Sequence, residues 1–138
     1  LQRQALVLGA RLKMLIDAIT SAHIRFARDD PRNRRIATKY AYDYVREIFN
    51  FSHSKIRLYV HAYEKFHQND DAVMYLRMTD MQLLLSHEIG DDIVNAVIQR
   101  RKENPRLSTR EVKALIIGMR PQPLVGRDGS SPSVGAQA

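Results

Sequence analysis

The stretch YDYVREIFNFSHSKIRLYVHAYEKF, residues 42–66, decides the fold. Upstream of its middle, Ile36, Tyr40, Ala41, Tyr44, Val45, Ile48 and Phe49 recur at helical spacing and form one apolar stripe. Downstream, Ile56, Tyr59, Val60, Tyr63 and Phe66 form another. Between them stand Asn50, Phe51 and Ser52. Asn is the non-glycine residue that best tolerates a left-handed backbone. Ser52 is a good N-cap, because its hydroxyl accepts an orphan N–H of the following turn. The pattern predicts a helix over about 33–49, a three-residue turn, and a helix over about 53–67. Arg46 stands where the first helix of such a pair usually has a small residue. Its long side chain must run out to solvent, or the register shifts by one.

The second helix leaves His53, Ser54, Lys55, Arg57, Leu58 and His61 outside. A helix fits the DNA major groove, and side chains near its N-terminus then meet base edges. This face is therefore expected to read double-stranded DNA, with His53, Ser54, Arg57 and His61 as base contacts. Lys55, Ser52, Arg34, Arg35 and Lys39 are the expected phosphate contacts, which position the protein without specifying sequence. An ordinary helix pair with a solvated basic face accounts for the same pattern.

The rest of the chain agrees with a polyanion as partner. Its 138 residues carry a formal charge of +7, concentrated in Arg25, Arg28, Arg32, Arg34, Arg35, Lys39 and Arg46 and again between 100 and 120. Asp70, Asp71, Asp80, Glu88, Asp91 and Asp92 form an acidic stretch between the two. Cysteine is absent, which excludes disulfides, thiolate metal sites and a cysteine nucleophile and fits a reducing cytoplasm; with DNA as partner, association with the nucleoid is expected. No apolar run approaches a membrane span, and no signal peptide is visible. The chain begins at Leu1, so upstream residues are expected to be missing, and whether they include an N-terminal domain is left open.

Residues 1–28 read as one long helix. Leu1, Ala5, Leu8, Leu12, Leu15, Ile19, Ala22 and Phe26 keep a 4-3 spacing. Leu6, Val7, Met14, Ile16 and Ile24 widen the stripe, as a core-facing helix requires. The other use of this face is dimerisation through Leu8, Leu12, Leu15 and Ile19, giving a homodimer suited to two half-sites. Asp29-Asp30-Pro31 ends the helix.

Beyond the central pair, 67–71 is expected as a loop and 72–78 as a short helix. Thr79 is expected to cap a helix over 80–88 that buries Met81, Leu84 and Leu85, with Gly90 stopping it. Asp91 should cap a helix over 92–103, where Arg100, Arg101 and Lys102 suit the C-terminal dipole. Ser108 and Glu111 form a capping box for a last helix over 109–118. From Met119 to Ala138 the chain is rich in Pro, Gly and Ser and is expected to be a flexible tail. No persuasive strand is found. The fold class is all-α, divided as helix 1–30, domain 31–118 and tail 119–138.

The order of these parts resembles the DNA-binding region of ParB/KorB-type plasmid and chromosome partition proteins and repressors. The resemblance covers about residues 36–117. It rests on the helix pair, then Met78-Thr79-Asp80-Met81-Gln82-Leu83-Leu84-Leu85, then the helix start Leu107-Ser108-Thr109-Arg110-Glu111-Val112. It implies a helix-turn-helix DNA reader acting as transcriptional regulator or partition factor, with the 53–61 face reading DNA. The family's nucleotide-binding arginine motif is absent, so no nucleotide-switched clamp is expected.

Chemistry other than binding finds little footing. The five histidines, His23, His53, His61, His67 and His87, lack the three- or four-residue spacing of paired ligands on one helix face. Asp91 and Asp92 are adjacent and do not face each other on a helix. No catalytic residue, metal or cofactor is expected. Two further readings remain open. One is a protein-interaction module that docks its partner through the first helix. The other is RNA binding by stacking on Tyr40, Tyr42, Tyr44, Tyr59 and Tyr63, of which only Tyr42 is expected at the surface.

Overall fold

The computed structural model describes residues 2–120, with side chains from Arg3 onward. These residues form α1 (Gln2–Ile24), α2 (Pro31–Phe49), α3 (His53–Phe66), α4 (Asp70–Tyr75), α5 (Met78–Leu83), α6 (Asp91–Glu103) and α7 (Thr109–Met119). The chain is all-α, and no strand occurs among the described residues. No described helix is long and apolar enough to cross a membrane. The expected tail lies outside the described residues, except that Met119 closes α7 and Arg120 follows it.

α1 lies against both α2 and α3, and these two touch each other less than either touches α1. Leu12 and Ile16 of α1, Ala41 and Val45 of α2, and Ile56 and Val60 of α3 close one core cluster. A second cluster gathers the end of α3 with α4 to α7, around Phe66, Leu76, Met81, Leu84, Val97 and Val112. Leu6 carries α1 into this second cluster, and Ala62 and Phe66 carry α3 into it. The first helix is thus core, as the width of its stripe implied.

α1 and α3 cross closely at Gly9. A Cβ there would sit 2.2 Å from the Tyr59 carbonyl oxygen and 3.0 Å from the Tyr63 Cβ. Only glycine lets the two backbones approach so near.

Several boundaries differ from those expected. α1 ends at Ile24, not 28, because its hydrogen bonds tighten to three-residue turns: Phe26 N–H donates to the His23 carbonyl and Ala27 N–H to that of Ile24. Phe26, expected on the apolar stripe, is therefore 90% exposed in the following loop. α2 starts at Pro31, because Asp30 caps it by accepting from the Asn33 N–H at 2.8 Å and proline suits the first helical position. α4 starts at Asp70 inside the expected loop, capped by Asn69, which accepts from the Ala72 N–H.

The helix expected over 80–88 is α5, shifted and shorter. Thr79 does not cap it; Asp80 instead accepts from the Arg77 N–H at 3.0 Å, which fixes the start two residues earlier. Its end is held by Lys65, whose ammonium donates to the carbonyls of Leu84, Ser86 and Ile89. Burial pushes Lys65 below its ordinary pKa, while those three oxygens hold its protons. Gly90, not Asp91, is the N-cap of α6, and Asp91 and Asp92 occupy its first turn, where negative charge is favoured. Ser108 and Glu111 cap α7 reciprocally, each bond 3.1 Å.

Arg101 overturns a simpler expectation. It is not a surface partner of the α6 dipole but is 2% exposed and grips Asp80, which is fully buried. Its Nε and Nη2 donate to the two Asp80 carboxylate oxygens at 2.8 and 2.9 Å, and Nη1 donates to the Leu107 carbonyl. One side chain thereby joins α5, α6 and the loop that leads into α7.

Candidate functional site

α2 and α3 are joined by the turn 50–52, with the expected local chemistry. Asn50 has φ 56° and ψ 39°, the left-handed conformation. Ser52 caps α3 by accepting from the Lys55 N–H at 3.1 Å. Arg46 is exposed, its long side chain running out to solvent.

Each turn of α2 divides into three lines. Ala37, Ala41 and Val45 are fully buried. On one flank of that line, Arg34, Arg35, Thr38, Lys39 and Tyr42 face α3 across an open trough of about 490 Å³, whose other wall is His53, Arg57 and His61. Three of the expected phosphate contacts and three of the expected base contacts thus share one concavity. Ser54 is exposed in the first turn of α3 and does not line the trough. Ser52 and Lys55 also lie outside it. The Ser52 hydroxyl is occupied by the cap, and the Lys55 ammonium sits 4.1 Å from the centre of the Phe51 ring.

The trough is basic but partly self-neutralised. Arg34 donates through Nε and Nη2 to the Asp29 carboxylate at 2.7 and 3.0 Å, and that bond holds the Asp29 carboxyl below its usual range. Lys39 donates to Asp43 at 2.9 Å with the same effect on Asp43. His53 Nε2 lies 3.4 Å from the other Asp43 oxygen, and His61 Nδ1 lies 3.0 Å from Glu64. Among the described residues, Arg35 and Arg57 form no ion pair. Tyr42, expected at the surface, is half-buried with its ring edge-on to His53; burial pushes its hydroxyl above the usual phenol range.

The other flank of α2 departs from the expected pattern. Ile36, Tyr40, Tyr44, Ile48 and Phe49 were expected in the core and are instead exposed, Tyr40 by 53%. The buried line is built from smaller residues, which let α1 pack close. Tyr40 and Tyr44 stack at 6.5 Å, and Tyr40 also meets the His23 ring at 5.7 Å. With Leu15, Ile19 and Ala22 of α1 they border a second open trough. Of the residues expected to dimerise the chain, Leu12 is fully buried inside its own core, while Leu8, Leu15 and Ile19 are half-buried against that core.

Among the described residues, no three His, Cys, Asp or Glu side chains gather as a metal site. No protein-family model, curated protein or solved structure matches the chain.

Proposed function

We propose that this chain is a binding protein that reads double-stranded DNA through α3, as a transcriptional regulator or partition factor of the ParB/KorB type. One observation carries the reading: side chains picked separately on two helices as phosphate and base contacts line a single basic trough. Arg57, on the exposed face of α3 and without an ion pair, is the residue for a forked contact to guanine. Arg35 and, after release from their carboxylates, Arg34 and Lys39 hold phosphates. Those carboxylates are exposed, so solvent screens the pairs and a phosphate replaces them at little cost.

A homodimer belongs to the same reading. The exposed flank of α2 is an apolar surface that a second copy would cover. Arg32 near the start of α2 and Glu47 near its end flank that surface, so a two-fold-related, antiparallel copy brings unlike charges together at both ends.

The test is selection of duplexes from a random pool at near-physiological salt, with wild type and Arg57→Ala side by side. The expected result is an enriched two-fold motif that the variant fails to recover, with a loss of about 1–3 kcal/mol on the selected site. Equal retention of all sequences by both proteins would overturn the reading.

A further inference from the structure

A cleft of about 690 Å³, larger than the α2/α3 trough, opens at the other end of α3, between the first half of α1 and α4. Its lining is mainly apolar, with Ala10 and Val7 on α1 and Met74 on α4, the last 65% exposed, and the His67 imidazole beside them. Arg3 and Arg11 stand on its rim and form no ion pair among the described residues. They are eight residues apart on one helix, so their stems are separated by about 12 Å along its axis, with Val7 midway.

That spacing chooses the occupant. A simple carboxylate or a fatty acid satisfies one arginine and leaves the other unpaired. A free phosphate leaves the apolar floor wet. A helix lying beside α1, with apolar residues at i, i+3 or i+4 and i+7 and acidic residues two turns apart, answers both cations and the floor together. The unbranched Met74 side chain adapts to the shapes such a helix presents. Asp70, also on the rim, favours a basic residue at the partner's matching end.

We infer that this cleft docks an acidic amphipathic helix of a partner protein. The assignment stands apart from the DNA reading, because it uses neither Arg57 nor any side chain of the α2/α3 trough. The test presents the full chain to a displayed library of helical peptides. Peptides with the apolar pattern and two acids two turns apart should be enriched. The Arg3→Glu/Arg11→Glu protein should bind an enriched peptide at least tenfold more weakly, and a peptide with both acids changed to lysine should recover the loss. Circular dichroism checks that the variant folds, as two exposed positions permit, and Met74→Glu should weaken binding without touching the arginines. Arg57→Ala should bind the peptide as wild type does. No enrichment, or enrichment indifferent to the charge reversal, would overturn the inference. So would a variant that loses duplex DNA binding while no peptide is enriched, since the two arginines would then belong to a nucleic-acid surface.

Discussion

Asp80 and Arg101, 21 residues apart in the chain, form a bidentate ion pair in the interior, 0% and 2% exposed. A buried pair adds little net stability over an apolar replacement, because desolvating both charges costs nearly what their attraction returns. Breaking it from one side is different. Asp80→Ala strands a guanidinium among apolar groups and should destabilise the chain by about 3–5 kcal/mol in urea denaturation. Asp80→Leu combined with Arg101→Met should cost less than either single change, with a remainder of about 1–3 kcal/mol because the Leu107 carbonyl loses its donor and the Arg77 N–H its acceptor. A double variant worse than both singles would show that the pair carries net stability.

Gly9 and Gly118 make opposite predictions for the same substitution. Gly9→Ala drives a methyl group into the Tyr59 carbonyl and forces α1 away from α3, so a loss of about 1–3 kcal/mol is expected. At Gly118 a Cβ meets nothing within 4 Å, and the residue lies within α7. Gly118→Ala should be neutral or stabilise by up to about 1 kcal/mol. Thermal melts of the two variants decide it, and a neutral Gly9→Ala would mean the crossing is looser than described.

Lys39 and Asp43 should pull DNA affinity in opposite directions. On the proposed DNA reading, Lys39→Ala removes a phosphate contact, weakens every duplex alike and lowers the slope of log K against log salt by about one. Asp43→Asn frees Lys39 and removes the negative charge beside His53, so affinity should rise severalfold for all sequences. Titrations at several salt concentrations read both. A sequence-selective change in either variant would remove Lys39 from the phosphate-contact set.

Glu111 gives an acid limb to stability. Hydrogen bonds with Ser108 hold its carboxyl below the ordinary value of 4.5, so its folded pKa is depressed relative to the unfolded chain. The contribution is complete above about pH 4.5 and is lost as pH falls through the lowered value. Glu111→Gln removes the titrating carboxylate and should flatten this limb, whereas Ser108→Ala would leave the backbone N–H donor of residue 108 in place. Urea midpoints at pH 7 and pH 3 for wild type and Glu111→Gln test it; equal pH dependence in the two would detach Glu111 from the effect.

Local signals made the fold legible. Asn50, Ser52, and the Ser108 and Glu111 pair each carry their chemistry within four residues of chain, and each does in space what its type foretold. α2 was harder, because it has two candidate stripes. The expected stripe joined Ile36, Tyr40, Tyr44 and Ile48 to Ala41 and Val45, whereas the core took Ala41 and Val45 with Ala37 and left the larger side chains outside. Only the partner helix decides between such lines. Asp80 and Arg101 left no trace, since a pairing at that separation has no period or spacing to betray it. In the candidate site, the sequence singled out its residue types, but their sorting into one trough depended on the packing of α2 beside α3. The cleft at Arg3 and Arg11 went unseen because its far wall comes from α4.

α3 serves two cores with its inner side. Ile56 and Val60 close the first, and Ala62 and Phe66 the second. Opening α3 therefore means opening both, and its central amides should exchange with solvent only when the whole chain unfolds. Its outer side answers to neither core, so positions 54, 57 and 61 are open to exchange among polar residues while the scaffold beneath stays the same. A helix arranged in this way is conservative inside and revisable outside, so its outward residues can change one at a time while the fold stands.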